Sequence, residues 1–158
     1  FKNALLQNQN GFTLIEILVV VSITAILGVV SIASFTSYSD NRTLESATDD
    51  VVSILNTAKS RTLSQVKPAV CGAQTLQGYR VLITIPGPTY DLLVVCGTNT
   101  YLIERKRLPN KVTFMTGSTT TISFRVLNGS ANPGTITLSG FGKTNAVQID
   151  ATGNVREN

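Results

Sequence analysis

The stretch "NGFTLIEILVVVSI", residues 10–23, decides how the rest of the chain is read. It sets one glutamate, Glu16, inside an otherwise apolar run. A carboxylate in hydrocarbon is costly, so one retained there marks a functional site that needs a partner. From Ile17 to Ser39 there are 23 residues without a formal charge. As a helix, that run rises roughly 35 Å at about 1.5 Å per residue, enough to cross a bilayer core of about 30 Å. Three readings compete for residues 1–39. A secretory signal needs an apolar core of about 7–15 residues and a small-residue cleavage site, and this run is too long and has Glu16 inside its start. A plain membrane anchor accounts for the length but not for Glu16 or the Gly11-Phe12 junction. A leader cut after Gly11, with the apolar helix retained, accounts for both.

The segment "GFTLIEILVVVSI" resembles the processing motif of type IV prepilins and type II secretion pseudopilins. The resemblance implies that a dedicated peptidase cuts after Gly11, that Phe12 becomes the first residue and is N-methylated, and that Glu16 is the glutamate characteristic of the mature family. It also supplies the missing partner. The new amine at Phe12 is positive, and in a bundle of such helices it can pair with Glu16 of its own chain or of a neighbour, neutralising two charges that are each costly in lipid. Glu16 lies in the first turns, where a negative charge suits the helix dipole. The plainer alternative is a carboxylate at the interface of a simple anchor. The chain starts with Phe1 rather than Met, and "FKNALLQNQNG" carries only Lys2, so the leader is expected to be truncated.

The 158 residues allow a stalk plus one small domain. Net charge is +4, and removing residues 1–11 leaves 12 basic against 9 acidic residues, or +3. That excess permits a polyanion partner without arguing for one. There is no histidine, which removes the commonest general base and metal ligand. Cys71 and Cys96 fit either a disulfide of an exported domain or two buried thiols. A bond between them would close a 26-residue loop.

The helical pattern continues beyond Ser39. Leu44, Ala47, Val51, Leu55, Ala58 and Thr62 recur at spacings of three and four, while Arg42, Glu45, Asp49, Asp50, Lys59 and Arg61 take other faces. No proline occurs before Pro68. One helix is therefore expected from about Phe12 to about Gln65, its first half in a membrane or filament core and its second half packed by its stripe on a globular domain. Gly28 is a weak point in that helix. From Gln77 the period becomes two. "YRVLITI", "YDLLVVC", "TYLIERK", "KVTFM", "TISFRV", "TITLS" and "NAVQID" read as short strands, separated by turns such as Pro86-Gly87-Pro88, Gly97-Thr98-Asn99 and Asn128-Gly129. The expected class is α+β: a long N-terminal helix packed on a C-terminal antiparallel sheet, or two sheets. The expected organisation is a leader at 1–11, a transmembrane and filament-core helix at 12–39, its amphipathic continuation at 40–66, and a β-rich domain at 67–158.

The order "RLPNKVTF", "ISFRVLNGSANPGTITLS" and "AVQIDATGNVREN" resembles the pseudopilin H and FimT-type branch of the family. Some relatives bind DNA through arginines in the terminal segment. Here Gly153-Asn154-Val155-Arg156 keeps one of them. "ERKR" at 104–107 is the one basic cluster, read either as a polyanion contact (Arg105, Lys106, Arg107, with Arg156) or as a solvated loop. "SGFGKT" lacks the first glycine of a phosphate loop and runs into a strand-like segment, so it reads as a turn. No serine or cysteine has a histidine base, and no acidic pair has catalytic or metal-binding spacing. Neither an enzyme nor a cofactor is expected. The expected function is a minor pilin or pseudopilin held in the bacterial inner membrane by one span, with its globular part periplasmic, and then drawn into a pseudopilus or pilus. Its partners would be other pilin subunits, the prepilin peptidase and methyltransferase, and the inner membrane. DNA enters with the alternative of a DNA-uptake minor pilin. A major pilin, or an uncleaved membrane-anchored binding module, completes the set.

Overall fold

A computed structural model describes residues 11–157, with side chains for all of these but 29–34. Residues 1–10 of the expected leader lie outside the described residues. The chain divides into two compact units after Ser39. The element common to both is α1, Leu14–Leu63, which runs through Gly28 without a break. Its end is built from backbone bonds. Val66 N–H donates to Arg61 O (3.0 Å) and Gln65 N–H to Thr62 O (3.2 Å), with Gln65 at a φ of 49°. This is the Schellman arrangement, with a left-handed residue closing the last carbonyls.

In the second unit, Leu44, Ala47, Thr48, Val51, Ile54, Leu55, Ala58 and Thr62 of α1 are buried. These are the expected stripe plus Thr48 and Ile54. The two threonines are tolerated because each hydroxyl donates to a carbonyl one turn back, Thr48 to Leu44 O (2.9 Å) and Thr62 to Ala58 O (2.7 Å). A single 3-10 turn, Ala69–Cys71, then leads into the sheets.

The strands are β1 (Leu76–Ile83), β2 (Thr89–Cys96), β3 (Asn99–Arg107), β4 (Val112–Phe114), β5 (Thr121–Arg125), β6 (Gly134–Gly140), β7 (Lys143–Ile149) and β8 (Val155–Glu157). They form two four-stranded antiparallel sheets, ordered β3-β2-β1-β5 and β4-β6-β7-β8. One hydrophobic core takes Tyr79, Val81, Leu92, Val94, Ile122 and Phe124 from the first sheet, Ile136, Leu138, Val147 and Ile149 from the second, and the α1 stripe. The rings of Tyr90 and Phe114 meet edge to face at 5.9 Å, tying β2 of one sheet to β4 of the other. The class is α+β, with the helix packed on antiparallel sheets. β8 is one strand more than the period-two pattern gave.

"SGFGKT" closes β6 onto β7. Gly140 pairs with Lys143, and Phe141 and Gly142 both have positive φ (55° and 76°), which makes a two-residue hairpin turn. Residues 104–107 are strand throughout rather than a loop, because β3 extends to pair Arg107 with Thr89. Of the expected transmembrane half, residues 12–39, part lies outside the described side chains. Among the described residues no helix is long and apolar enough to cross a membrane.

Candidate processing and assembly site

The amino-terminal site is built by the start of α1. Thr13 precedes the first helical residue and accepts from the Glu16 N–H at its Oγ1 (3.3 Å) and at its carbonyl (3.1 Å). Thr13 is thus the N-cap and Glu16 the third helical residue. Thr-x-x-Glu is the spacing of a capping box. Phe12 and Ile17 take the two positions of a hydrophobic staple and line one shallow groove with Leu14, Leu18 and Val21. The capping box is legible in the sequence as "TLIE", within the start of the apolar run. Glu16 therefore has a local role, favouring the positive end of the dipole, in addition to any partner. Gly11 and Phe12 lie just before the cap, outside the helix, with Phe12 78% exposed. The backbone at Gly11-Phe12 is not helical.

Beyond the cap, the described part of the apolar segment has no core of its own. Leu14 (83%), Ile17, Leu18, Val19, Val20, Val21, Ile23, Ile26 and Leu27 are all exposed, on every side of the helix. A helix apolar all round is stable in lipid or among other helices, not in water. Its hydroxyls are already satisfied internally: Ser22 Oγ donates to Leu18 O (2.7 Å) and Thr24 Oγ1 to Val20 O (2.9 Å). That is the arrangement an anhydrous environment demands.

In the second unit, Cys71 and Cys96 form a disulfide with a Cα–Cα distance of 5.6 Å, joining the 3-10 turn to the end of β2. The four residues named for polyanion contact do not form one patch. Arg105 is held by Asp91 through two bonds of 2.7 Å, and these raise its pKa further. Lys106 projects to the opposite face of β3 and lies 3.8 Å from Glu104. Arg107 shares the face of Arg105 by alternation. Arg156 sits on β8 of the other sheet, opposite Gln148.

The "DATGN" loop between β7 and β8 is a closed network. Asp150 Oδ1 accepts from Thr152 N–H (2.9 Å), Thr152 Oγ1 (2.6 Å) and Asn154 N–H (2.9 Å). These bonds, the Thr152 hydroxyl's above all, lower its pKa from 3.8 to about 2. Lys59 Nζ donates to Asn154 Oδ1 (3.1 Å) and ties the loop to α1. No cluster of metal-ligand side chains occurs among the described residues.

Residues 6–32 match the prokaryotic N-terminal methylation motif, and residues 47–153 match the family described as type II transport protein GspH. The second match covers more than half of the chain. The chain belongs to the GspH family. As a GspH-type protein it is a pilin-like subunit, a pseudopilin or minor pilin of a type II secretion or pilus system. Family members are structural subunits that assemble with other pilins after prepilin processing, and the methylation motif fits a membrane-anchored pseudopilin. No curated protein and no solved structure matches the chain.

Proposed function

We propose that this chain is cut after Gly11 and N-methylated at Phe12, and that it works as a structural subunit of a secretion pseudopilus or a type IV pilus-like fibre. The observation that carries this reading is the capped, all-round apolar helix start, with the exposed Gly11-Phe12 junction just before its N-cap. Residues 12–39 hold the chain in the inner membrane as a single span, with the second unit in the periplasm, until extraction. They then bury themselves among the same segments of neighbouring subunits. Glu16 pairs there with a Phe12 amine, and because an unpaired charge is costly in that setting, the pair rewards correct axial register. The alternative of a DNA-uptake pilin is the weaker reading, since Arg105 is occupied by Asp91 and Lys106, Arg107 and Arg156 face apart.

The test is photocrosslinking from Phe35, an exposed position of the first unit, in the native host, with mass spectrometry of the captured neighbours and of the protein's own amino terminus. N-methyl-Phe12 together with secretion-pseudopilus neighbours is the expected result, and pilus neighbours would assign the chain to a surface fibre. An uncut terminus without pilin neighbours would overturn the reading. Glu16→Gln should leave cleavage intact and remove the protein from sheared fibres.

A further inference from the structure

A bulge in β1 opens a hollow in the first sheet. The register of β1 against β2 slips between Leu76 and Gly78, which leaves Gln77 as an extra residue without a partner on β2. An extra residue bends its strand, and the next position, Gly78, has no side chain to fill the bend. A cleft of about 440 Å³ opens there, lined by Gly78, Arg80, Val95, Ser123, Arg125 and Val126 among others. Pockets for small ligands commonly measure about 300–1,000 Å³, so the cleft is large enough for one.

Two guanidinium groups flank it. Arg80 lies opposite Ser123 and Arg125 opposite Gly78, so the two arginines are diagonal neighbours on adjacent strands. Diagonal neighbours stand roughly 7–8 Å apart, within reach of a single anion. Arg80 Nε donates to the neutral Ser123 hydroxyl (3.1 Å), which leaves its terminal nitrogens and the hydroxyl's own proton for a further acceptor. Among the described residues, neither Arg80 nor Arg125 makes an ion pair. Like charges on adjacent strands repel, and an anion between them would offset that repulsion.

The same sheet shows which anion such a group takes. Arg105 of β3 holds Asp91 of β2 through Nε and Nη2, each 2.7 Å from one carboxylate oxygen. This is the planar two-bond fork of guanidinium on carboxylate. Phosphate sites draw instead on free backbone amides or a helix N-terminus. Here the amides of the β5 side are already engaged: Ser123 N–H by Asn132 Oδ1 (2.6 Å), Arg125 N–H by Ser130 O (3.0 Å) and Val126 N–H by Gln77 O (3.2 Å). The rings of Tyr79 and Phe124 are buried, so the cleft offers no aromatic face for a nucleobase. Val95 and Val126, both half-buried, set apolar surface beside the charges. A peptide's end carries its carboxylate and its last side chain on the same Cα, which matches a charged flank next to an apolar floor.

We propose that this cleft binds the C-terminal carboxylate of an extended peptide whose last side chain is aliphatic. The carboxylate lies between Arg80 and Arg125 and accepts from the Ser123 hydroxyl. The last side chain rests on Val95 and Val126. Capture of a chain end is an established mode of peptide recognition. The site lies wholly within the second unit, so it adds a recognition activity to the structural role above and does not depend on it.

The experiment titrates the full chain in detergent, with isotope-labelled arginine, against the peptide Ala-Ala-Ala-Leu, and follows the arginine Nε–H resonances. The signals of Arg80 and Arg125 should shift to saturation, while that of Arg105, already held by Asp91, stays in place. Amidation of the peptide's carboxylate should weaken binding about tenfold or more. Arg80→Gln with Arg125→Gln should abolish it. Val95→Phe fills the cleft and keeps both charges, and should also abolish it; Lys143→Gln, on the other sheet, should leave it unchanged. Thermal unfolding of each variant shows that it is folded. Equal binding of the amide, displacement of the peptide by equimolar inorganic phosphate, shifts confined to other arginines, indifference to Val95→Phe, or no saturable shift at millimolar peptide would each overturn the proposal.

Discussion

Gly78, on β1 opposite Arg125 of β5, must be glycine. Its φ is 154°, and a Cβ there would run into the Phe124 carbonyl oxygen across the β1–β5 pairing. Gly78→Ala should therefore cost more than about 1 kcal/mol, read as a lowered urea midpoint at unchanged slope. Asp150 and Glu157 mark opposite electrostatic cases. Asp150 is depressed to about 2 by hydrogen bonds to its charged form. Its contribution is present above the ordinary 3.8 and is lost as pH falls toward 2. Asp150→Ala should lower the melting temperature at pH 7 and converge with the parent near pH 2. Glu157 is raised, first by burial and then by the charges of Asp49 and Glu45. Its contribution is present below 4.5 and is lost as pH rises through the elevated value. Glu157→Gln should melt higher than the parent at pH 7 and show no advantage at pH 4. The opposite order at pH 7 would mean that the acidic cluster is compensated.

At the scale of elements, α1 carries two different surfaces on one continuous helix. Residues 44–62 present a stripe that is buried to the last methyl, with Leu55, Val51, Ala47 and Ala58 at zero exposure. Leu55→Ala should cost about 2–5 kcal/mol by chemical denaturation, because the rigid sheets behind it cannot collapse into the void. The stripe was legible because a helix of 3.6 residues per turn leaves an unmistakable spacing. Thr48 and Ile54 were not, since a threonine reads as polar until its hydroxyl is seen satisfied by Leu44 O and Asn145. β3 shows the same limit. Its alternation is interrupted by a bulge at the Leu92/Leu93 register shift, so the faces of Arg105, Lys106 and Arg107 follow from pairing and not from composition. Extra residues of this kind are typical of edges, where they turn the strand away from foreign pairing.

At the scale of the whole molecule, the Cys71–Cys96 bond ties the entry of the first sheet to its second strand, over a separation of 25 residues. Reduction should cost about 3–4 kcal/mol, seen as a lower denaturation midpoint with reductant and no change for a Cys71→Ala, Cys96→Ala double variant. The amino-terminal motif, the long helix and the change to period two at Gln77 were all determined by the sequence alone, because each is written in residues adjacent along the chain or repeated at a fixed local spacing. The split into two sheets, the placement of β8 beside β7, and the pairing of Arg105 with Asp91 were decided only by tertiary structure. Those relations join residues tens of positions apart, and strand order depends on which apolar faces close one core, which no local period records.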